Sequence, residues 1–224
     1  MNSRDWVVQQ IRTDPQRSID KRVVAPIGDN GLVVTRPGRP DAVAYCCERS
    51  TIEVITTAVV VRALHELPQT QMIIIFPSSQ DIHAGTYEFV RERRLAIGSL
   101  NDLNSALHEC NDIGTYEERE AKYVRNRITR PPAVTRVLRK GHNLWVLKRS
   151  GGLRSLTIVT SEAYEVTDHA FTNAVIQHPA LDAYIATSPN VQGFSNRVSA
   201  SARDTGVKLL TMNEFVRTLR QPWT

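Results

Sequence analysis

Residues Ile73–Leu107 read IIIFPSSQDIHAGTYEFVRERRLAIGSLNDLNSAL, and Ile185–Leu219 read IATSPNVQGFSNRVSASARDTGVKLLTMNEFVRTL. Shifted by 112 positions, half of the 224 in the chain, the two stretches align without a gap. Six of the 35 aligned positions are identical: Ile73/Ile185, Pro77/Pro189, Gln80/Gln192, Arg91/Arg203, Asn101/Asn213 and Leu107/Leu219. The order of local signals also repeats. Each stretch runs from an apolar strand through a polar loop to a helix, then a short apolar strand, then Asn-acid-apolar opening a last helix.

Working outward, residues 5–23 predict a helix interrupted at Pro15, with Trp6, Val7 and Ile11 facing inward. GLVVTRPGRPDAVAYCC predicts two strands around a Pro-Gly-Arg-Pro turn. Ser50 or Thr51 is placed to cap TIEVITTAVVVRALHEL, a helix burying Ile52, Ile55, Val59 and Ala63 and ending before Pro68. Met72–Phe76, a helix over 84–94 and Leu95–Leu100 then form a βαβ unit. In the second half, Tyr116–Arg127 reads as a charged helix stopped by Pro131-Pro132. VTRVLRKGHNLWVLKR reads as a hairpin turning at Lys140–Asn143, and LTIVTSEAY as a third strand. A helix through Phe171–Gln177, a strand Ala183–Thr187, a helix Phe194–Thr205 stopped at Gly206, a strand Val207–Thr211 and a helix capped by Asn213 follow. The expected fold is α/β: a tandem duplication in one compact body, residues 1–112 and 113–224, each half running helix, meander, helix, strand, helix, strand, helix.

Bulk composition excludes several classes. With 41% hydrophobic and 23% charged residues the chain is an ordinary folding sequence rather than a disordered one. Its apolar runs, such as Ala58–Val61 and Met72–Phe76, fall far below the roughly 20 residues that span a bilayer, and the N-terminal residues lack the apolar core of a secretion signal. Three cysteines, two of them adjacent at 46 and 47, disfavour a disulfide framework and suit a reducing, cytoplasmic setting. The six histidines show no metal-ligand spacing, and no nucleophile or zinc signature is present.

The order of elements resembles the restriction-endonuclease-like (PD-(D/E)xK) superfamily. The C-terminal part is similar to its Mrr-type modules, through Thr187, Phe194, Ser195, Ala200, Ala202, Gly206 and Leu209 in IATSPNVQGFSNRVSASARDTGVKLLTMNEF. The resemblance implies an Asp on one meander strand and Glu/Gln-x-Lys on the next, holding magnesium for phosphodiester hydrolysis. Asp29 fits the first requirement, but DAVAYCCERS puts Cys46 at the carboxylate position and Glu48 at the lysine position. The second half offers His142-Asn143 and Ser161-Glu162 with no lysine. A metal-dependent nuclease would have to rely on a rearranged Asp29, Asp41 and Glu48. The resemblance therefore implies a scaffold that has lost catalysis and needs no cofactor.

Charge supplies the remaining signal. Lys+Arg against Asp+Glu is 12 to 14 in residues 1–112 and 16 to 9 in 113–224, so the formal +5 divides into −2 and +7. Between Arg119 and Arg154 stand eleven basic residues and one acid, Glu120. Arg125, Arg127, Arg130, Arg136, Arg139, Lys140, Lys148, Arg149 and Arg154, interleaved with Trp145, predict a surface that neutralises phosphates while an aromatic side chain stacks on bases. The loops Pro77–Ile82 and Pro189–Gly193, each preceding a helix, are lesser candidates for anion binding. The expected function is a noncatalytic nucleic-acid-binding or assembly subunit of a bacterial or phage DNA-processing or defence complex. Its expected partners are DNA or RNA, a protein partner or further copies of itself, with no membrane. The alternatives are the nuclease and a structural, oligomerising protein that binds no nucleic acid.

Overall fold

The computed structural model describes residues 2–14, 21–47, 54–76, 81–191 and 193–223. The chain is a mixed α/β protein that divides into two units, Met1–Glu118 and Arg119–Thr224. The boundary falls six residues beyond the midpoint because a 3-10 turn, Ile113–Thr115, belongs to the first core. Tyr116 beside it donates its hydroxyl to Asp102 at 3.2 Å. Glu117 and Glu118 therefore count with the first unit. Lys+Arg against Asp+Glu becomes 12 to 16 and 16 to 7, that is −4 and +9.

The first unit opens with helix α1 (Ser3–Thr13), capped by the Asn2 side chain on the Asp5 N–H. It ends at Asp14, just before the Pro15 at which an interruption was expected; residues 15–20 lie outside the described residues. Val23–Ile27 instead forms strand β1, continued by β2 (Gly31–Thr35) and β3 (Ala42–Cys46) as an antiparallel meander. Val54–Ile55 is a short strand, β4, and helix α2 begins only at Thr57 and ends at Glu66. The expected cap at Ser50 or Thr51, like Ile52, lies outside the described residues. The β-branched run Val54-Ile55-Thr56-Thr57 favours extended backbone, and Ile55 buries itself in a ladder with β6 (Asp81–Ile82). Strand β5 (Met72–Ile74), helix α3 (Ala84–Glu92), strand β7 (Ala96–Gly98) and helix α4 (Leu100–Glu109) complete the unit. The main sheet has the order β1-β2-β3-β5-β7, with β3, β5 and β7 parallel.

The second unit repeats that plan. Helix α5 (Arg119–Thr129) precedes a meander β8 (Val134–Arg139), β9 (Leu144–Arg149) and β10 (Leu156–Ser161). Helix α6 (Asp168–Gln177), strand β11 (Ala183–Ala186), helix α7 (Asn196–Thr205), strand β12 (Lys208–Thr211) and helix α8 (Met212–Thr218) follow. The sheet order is β8-β9-β10-β11-β12, again antiparallel through the meander and parallel beyond it. Helix α7 stops at Gly206, whose φ of 72° is the left-handed conformation that glycine adopts without strain. Helix α8 is capped by Thr211 and Glu214 rather than by Asn213, which lies inside the helix.

In both units the sheet is a middle layer. Side chains of α1 and α4 (Val7, Ile11, Leu103, Leu107) cover one face of the first sheet, and those of α2 and α3 (Val60, Ala63, Tyr87, Val90) cover the other. Helices α5 and α8 (Val124, Ile128, Phe215) and α6 and α7 (Phe171, Val198, Ala202) take the same places in the second. This explains why Cys46 and Cys47, which point to opposite faces of β3, are both buried.

Equivalent positions can be read from these faces, and they correct the gapless alignment. Val60 and Ala63 of α2 answer to Phe171 and Ala174 of α6, and Met72 and Ile74 to Ala183 and Ile185, at a shift of 111. Ile73 lies on the α2–α3 face whereas Ile185 lies on the α5–α8 face, so that identity pairs opposite sides of a pleat. From the N-caps His83 and Ser195 onward the shift is 112. The capping boxes Ser99/Asp102 and Thr211/Glu214 then coincide, as do Leu107 and Leu219.

Candidate nucleic-acid interface

The basic run of the sequence divides into cations that fasten the fold and cations that face solvent. Arg149 ends β9 on the same face as Trp145 and Leu147 and is buried. Its Nε donates to the carbonyl of Arg154 at 2.8 Å, and its Nη1 donates to those of Leu219 (3.1 Å) and Gln221 (2.8 Å). It thus ties the β9–β10 turn to the carbonyl end of α8, where a cation is favoured by the helix dipole and by unsatisfied C=O groups. Burial lowers its pKa. Arg36, following β2, does the same in the first unit. Its Nε and Nη2 reach Pro40 O, its Nη1 reaches Leu107 O and Cys110 O (2.7 Å), and its Nη2 also reaches Asn111 O (2.7 Å). A second shared feature is the asparagine before the middle strand. Asn30 O and Asn143 O accept the N–H of Cys46 and Thr160, at 2.8 and 2.9 Å.

Three more residues of the run are structural. Arg139 is buried, donates to the carbonyls of Gly141 and His142 in the hairpin turn, and lies 5.4 Å from the Trp145 ring. Trp145 itself is 1% exposed, donates its indole N–H to Thr160 Oγ1 at 3.3 Å, and cannot stack on a base from there. Its alternation with Leu144 and Val146 puts it on the α5 side of the sheet, a consequence of register that composition does not carry. Arg154 pairs with Asp182 (2.5 Å) and donates to Trp223 O. Arg125 is half-buried, 5.7 Å from the Trp145 ring, and Arg127 donates to Asn213 Oδ1 at 2.5 Å.

Arg130, Arg136, Lys140 and Lys148 are exposed, as is Lys122, which the sequence did not single out. They do not form one continuous row. Arg136 and Lys148 stand directly opposite each other in the β8–β9 ladder, with half-buried Leu138 and Val146 paired next to them, and strand alternation adds Lys140 to that side. This is the face covered by α6 and α7 further along the sheet, and around β8 and β9 it stays open. Lys122 lies on α5 and Arg130 just past its end, on the other face. The corresponding open face of the first meander is uncharged: Val23, Ala25 and Thr35 are exposed and Val33 is half-buried.

The acidic candidates are not brought together. Asp29 is exposed in the β1–β2 turn and Asp41 is exposed just before β3, at the opposite end of β2. The five residues of β2 put them roughly 17 Å apart at about 3.3 Å per residue. Glu48 lies outside the described residues. Among the described residues no three His, Cys, Asp or Glu side chains gather where they could hold a metal ion. Pro77–Gln80 and Gln192, parts of the two loops expected to bind anions, are likewise outside them, and the Val198 N–H at the start of α7 is taken by the Ser195 hydroxyl. No helix among the described residues is long and apolar enough to cross a membrane. No family model, curated protein or solved structure matches the chain.

Proposed function

We propose that the protein is a noncatalytic nucleic-acid-binding subunit, whose second unit holds the phosphate backbone on the open face of the β8–β9 hairpin. The observation that carries this reading is the opposition of Arg136 and Lys148. A phosphate placed between two such neighbouring cations on the open face would be bound by both. The +9 charge of the unit supports attraction of a polyanion from a distance. The repeated strand order, the paired arginine fasteners and the paired capping boxes support descent of both units from one duplicated ancestor, and the restriction-endonuclease-like resemblance supplies its type. Separation of Asp29 from Asp41 favours the noncatalytic form over the magnesium-dependent nuclease.

The test is the salt dependence of binding to a DNA duplex and to a single strand, followed by fluorescence anisotropy. Three cations on the hairpin face predict a slope of log K against log salt near −2.7 for duplex or about −2 for a single strand. Engagement of Lys122 and Arg130 as well would steepen the duplex slope to about −4.5. Binding that is absent at low salt, or insensitive to it, would overturn the proposal. So would cleavage in magnesium that Asp29→Ala or Glu48→Ala abolishes.

A further inference from the structure

Along helix α2 of the first unit, beside α3, runs a shallow open groove of about 540 Å³, lined by Thr57, Ala58, Val61, Arg62, His65 and Phe89. Its floor and walls are apolar, and Val61 is 52% exposed. Its rim carries cations: Arg62 lines it beside His65, and Arg93 stacks on the Phe89 ring with its guanidinium carbon 3.6 Å from the centroid. That rim stands out in a unit whose formal charge is −4.

The second unit shows what the same place looks like when it is closed. By the shifts established from the cores, Thr57 answers to Asp168 and Phe89 to Ser201. The Ser201 hydroxyl donates to Asp168 Oδ1 at 2.7 Å, and Arg197 Nε donates to Asp168 Oδ2 at 3.0 Å. A polar clasp joins α6 to α7 there. In the first unit a threonine and a phenylalanine stand in the places of the clasp, and among the described residues no hydrogen bond joins them.

We infer that the α2–α3 groove is a docking site for an acidic amphipathic helix of a protein partner. Apolar side chains spaced i, i+3/i+4 and i+7 would lie on Val61 and Phe89 while flanking carboxylates meet Arg62, His65 and Arg93. An apolar trough with a cationic rim selects that chemistry against a basic or a neutral polar segment. The site is independent of the nucleic-acid face, and it would let the first unit attach the chain to a partner while the second holds the nucleic acid.

The experiment selects peptides from a displayed library of random 12-residue sequences on the full-length protein, with Val61→Asp as the counter-target. Because Val61 is exposed, that variant should keep its thermal midpoint and its nucleic-acid affinity. Expected winners carry Leu, Ile or Phe at helical spacing with Asp or Glu beside them, bind at least tenfold more weakly to Val61→Asp, and shift toward Lys and Arg when Arg62→Glu/Arg93→Glu is the target. Winners without that pattern, or winners that bind Val61→Asp equally, overturn the inference. So does a doubling of the parent's mass that Val61→Asp abolishes, which would make a second copy the occupant. None of these outcomes depends on nucleic-acid binding.

Discussion

Lys148→Ala and Arg149→Met, at adjacent positions, should produce opposite phenotypes. Arg149 gives up three hydrogen bonds to the carbonyls of Arg154, Leu219 and Gln221. Hydrogen bonds from a charged group contribute about 1.5–3 kcal/mol each. The sum is an upper bound, because removing Arg149 also removes the desolvation that lowers its pKa, and the freed carbonyls at the exposed residues 154 and 221 can take water. A net loss of about 2–4 kcal/mol is expected, which for a unit of this size lowers its melting temperature by roughly 10–25 °C. Lys148 is exposed, so Lys148→Ala should change stability by less than about 0.5 kcal/mol while reducing the salt slope of duplex binding by about 0.9. Calorimetry gives the first quantity, and anisotropy titrations at four or more salt concentrations, well below the melting point, give the second. Arg149→Met melting with the parent while its slope falls, or Lys148→Ala melting early with its slope intact, would refute the division between fastening and binding cations.

Arg36→Met should lower the transition of the first unit at least as far, since that guanidinium reaches four carbonyls, and should leave the salt slope untouched. Thiol labelling of the native protein at pH 8 should modify half-buried Cys110 first, because burial pushes Cys46 and Cys47 up to about 12; simultaneous reaction of all three would contradict the packing of β3. The stability held in those two thiols is complete below their unfolded value of about 8.5 and is lost as pH climbs from there toward about 12, which denaturant midpoints at pH 8 and 10.5 will register. The Thr211 N–H and hydroxyl hold the Glu214 carboxyl below its ordinary value, so its contribution is full above about pH 4.3 and is lost as pH falls through the folded value. Thr211→Ala should cost about 1 kcal/mol at pH 7 and flatten that acid limb.

The element order was legible from the sequence because strands and helices of this chain carry clean signals: Gly206 as a stop, Pro68 and Pro179 after helices, and apolar runs at Met72 and Leu156. Where β-branched residues dominate, as at Val54–Thr57, helical spacing and strand propensity compete, and pairing with β6 decides for the strand. The proposed binding surface was legible only as a charge count. Whether a cation at 139, 148 or 149 points inward depends on which side of the pleat it falls, and the solvent-facing Lys148 and the buried Arg149 are consecutive residues of β9. The indole of Trp145 follows the same rule, and a sequence pattern without the register cannot distinguish a buried aromatic from a stacking platform. The α2–α3 groove had no sequence signal, since it shows only by contrast with the Asp168 clasp of the other unit, which the described residues of the first do not repeat.

Eight residues separate Ile74 from His83, but nine separate Ile185 from Ser195. A length change in that connection is absorbed before the next helix is capped, whereas the same change inside β5 or β11 would exchange the contents of the two cores. Outside β6, which its ladder with β4 fixes, the strand-to-helix connections are thus where inserted peptides or tags should be tolerated, and the strand interiors are not. An engineer wishing to append a reporter, and a lineage accumulating insertions, meet the same constraint: this architecture can lengthen at the carboxyl ends of its parallel strands without being rebuilt.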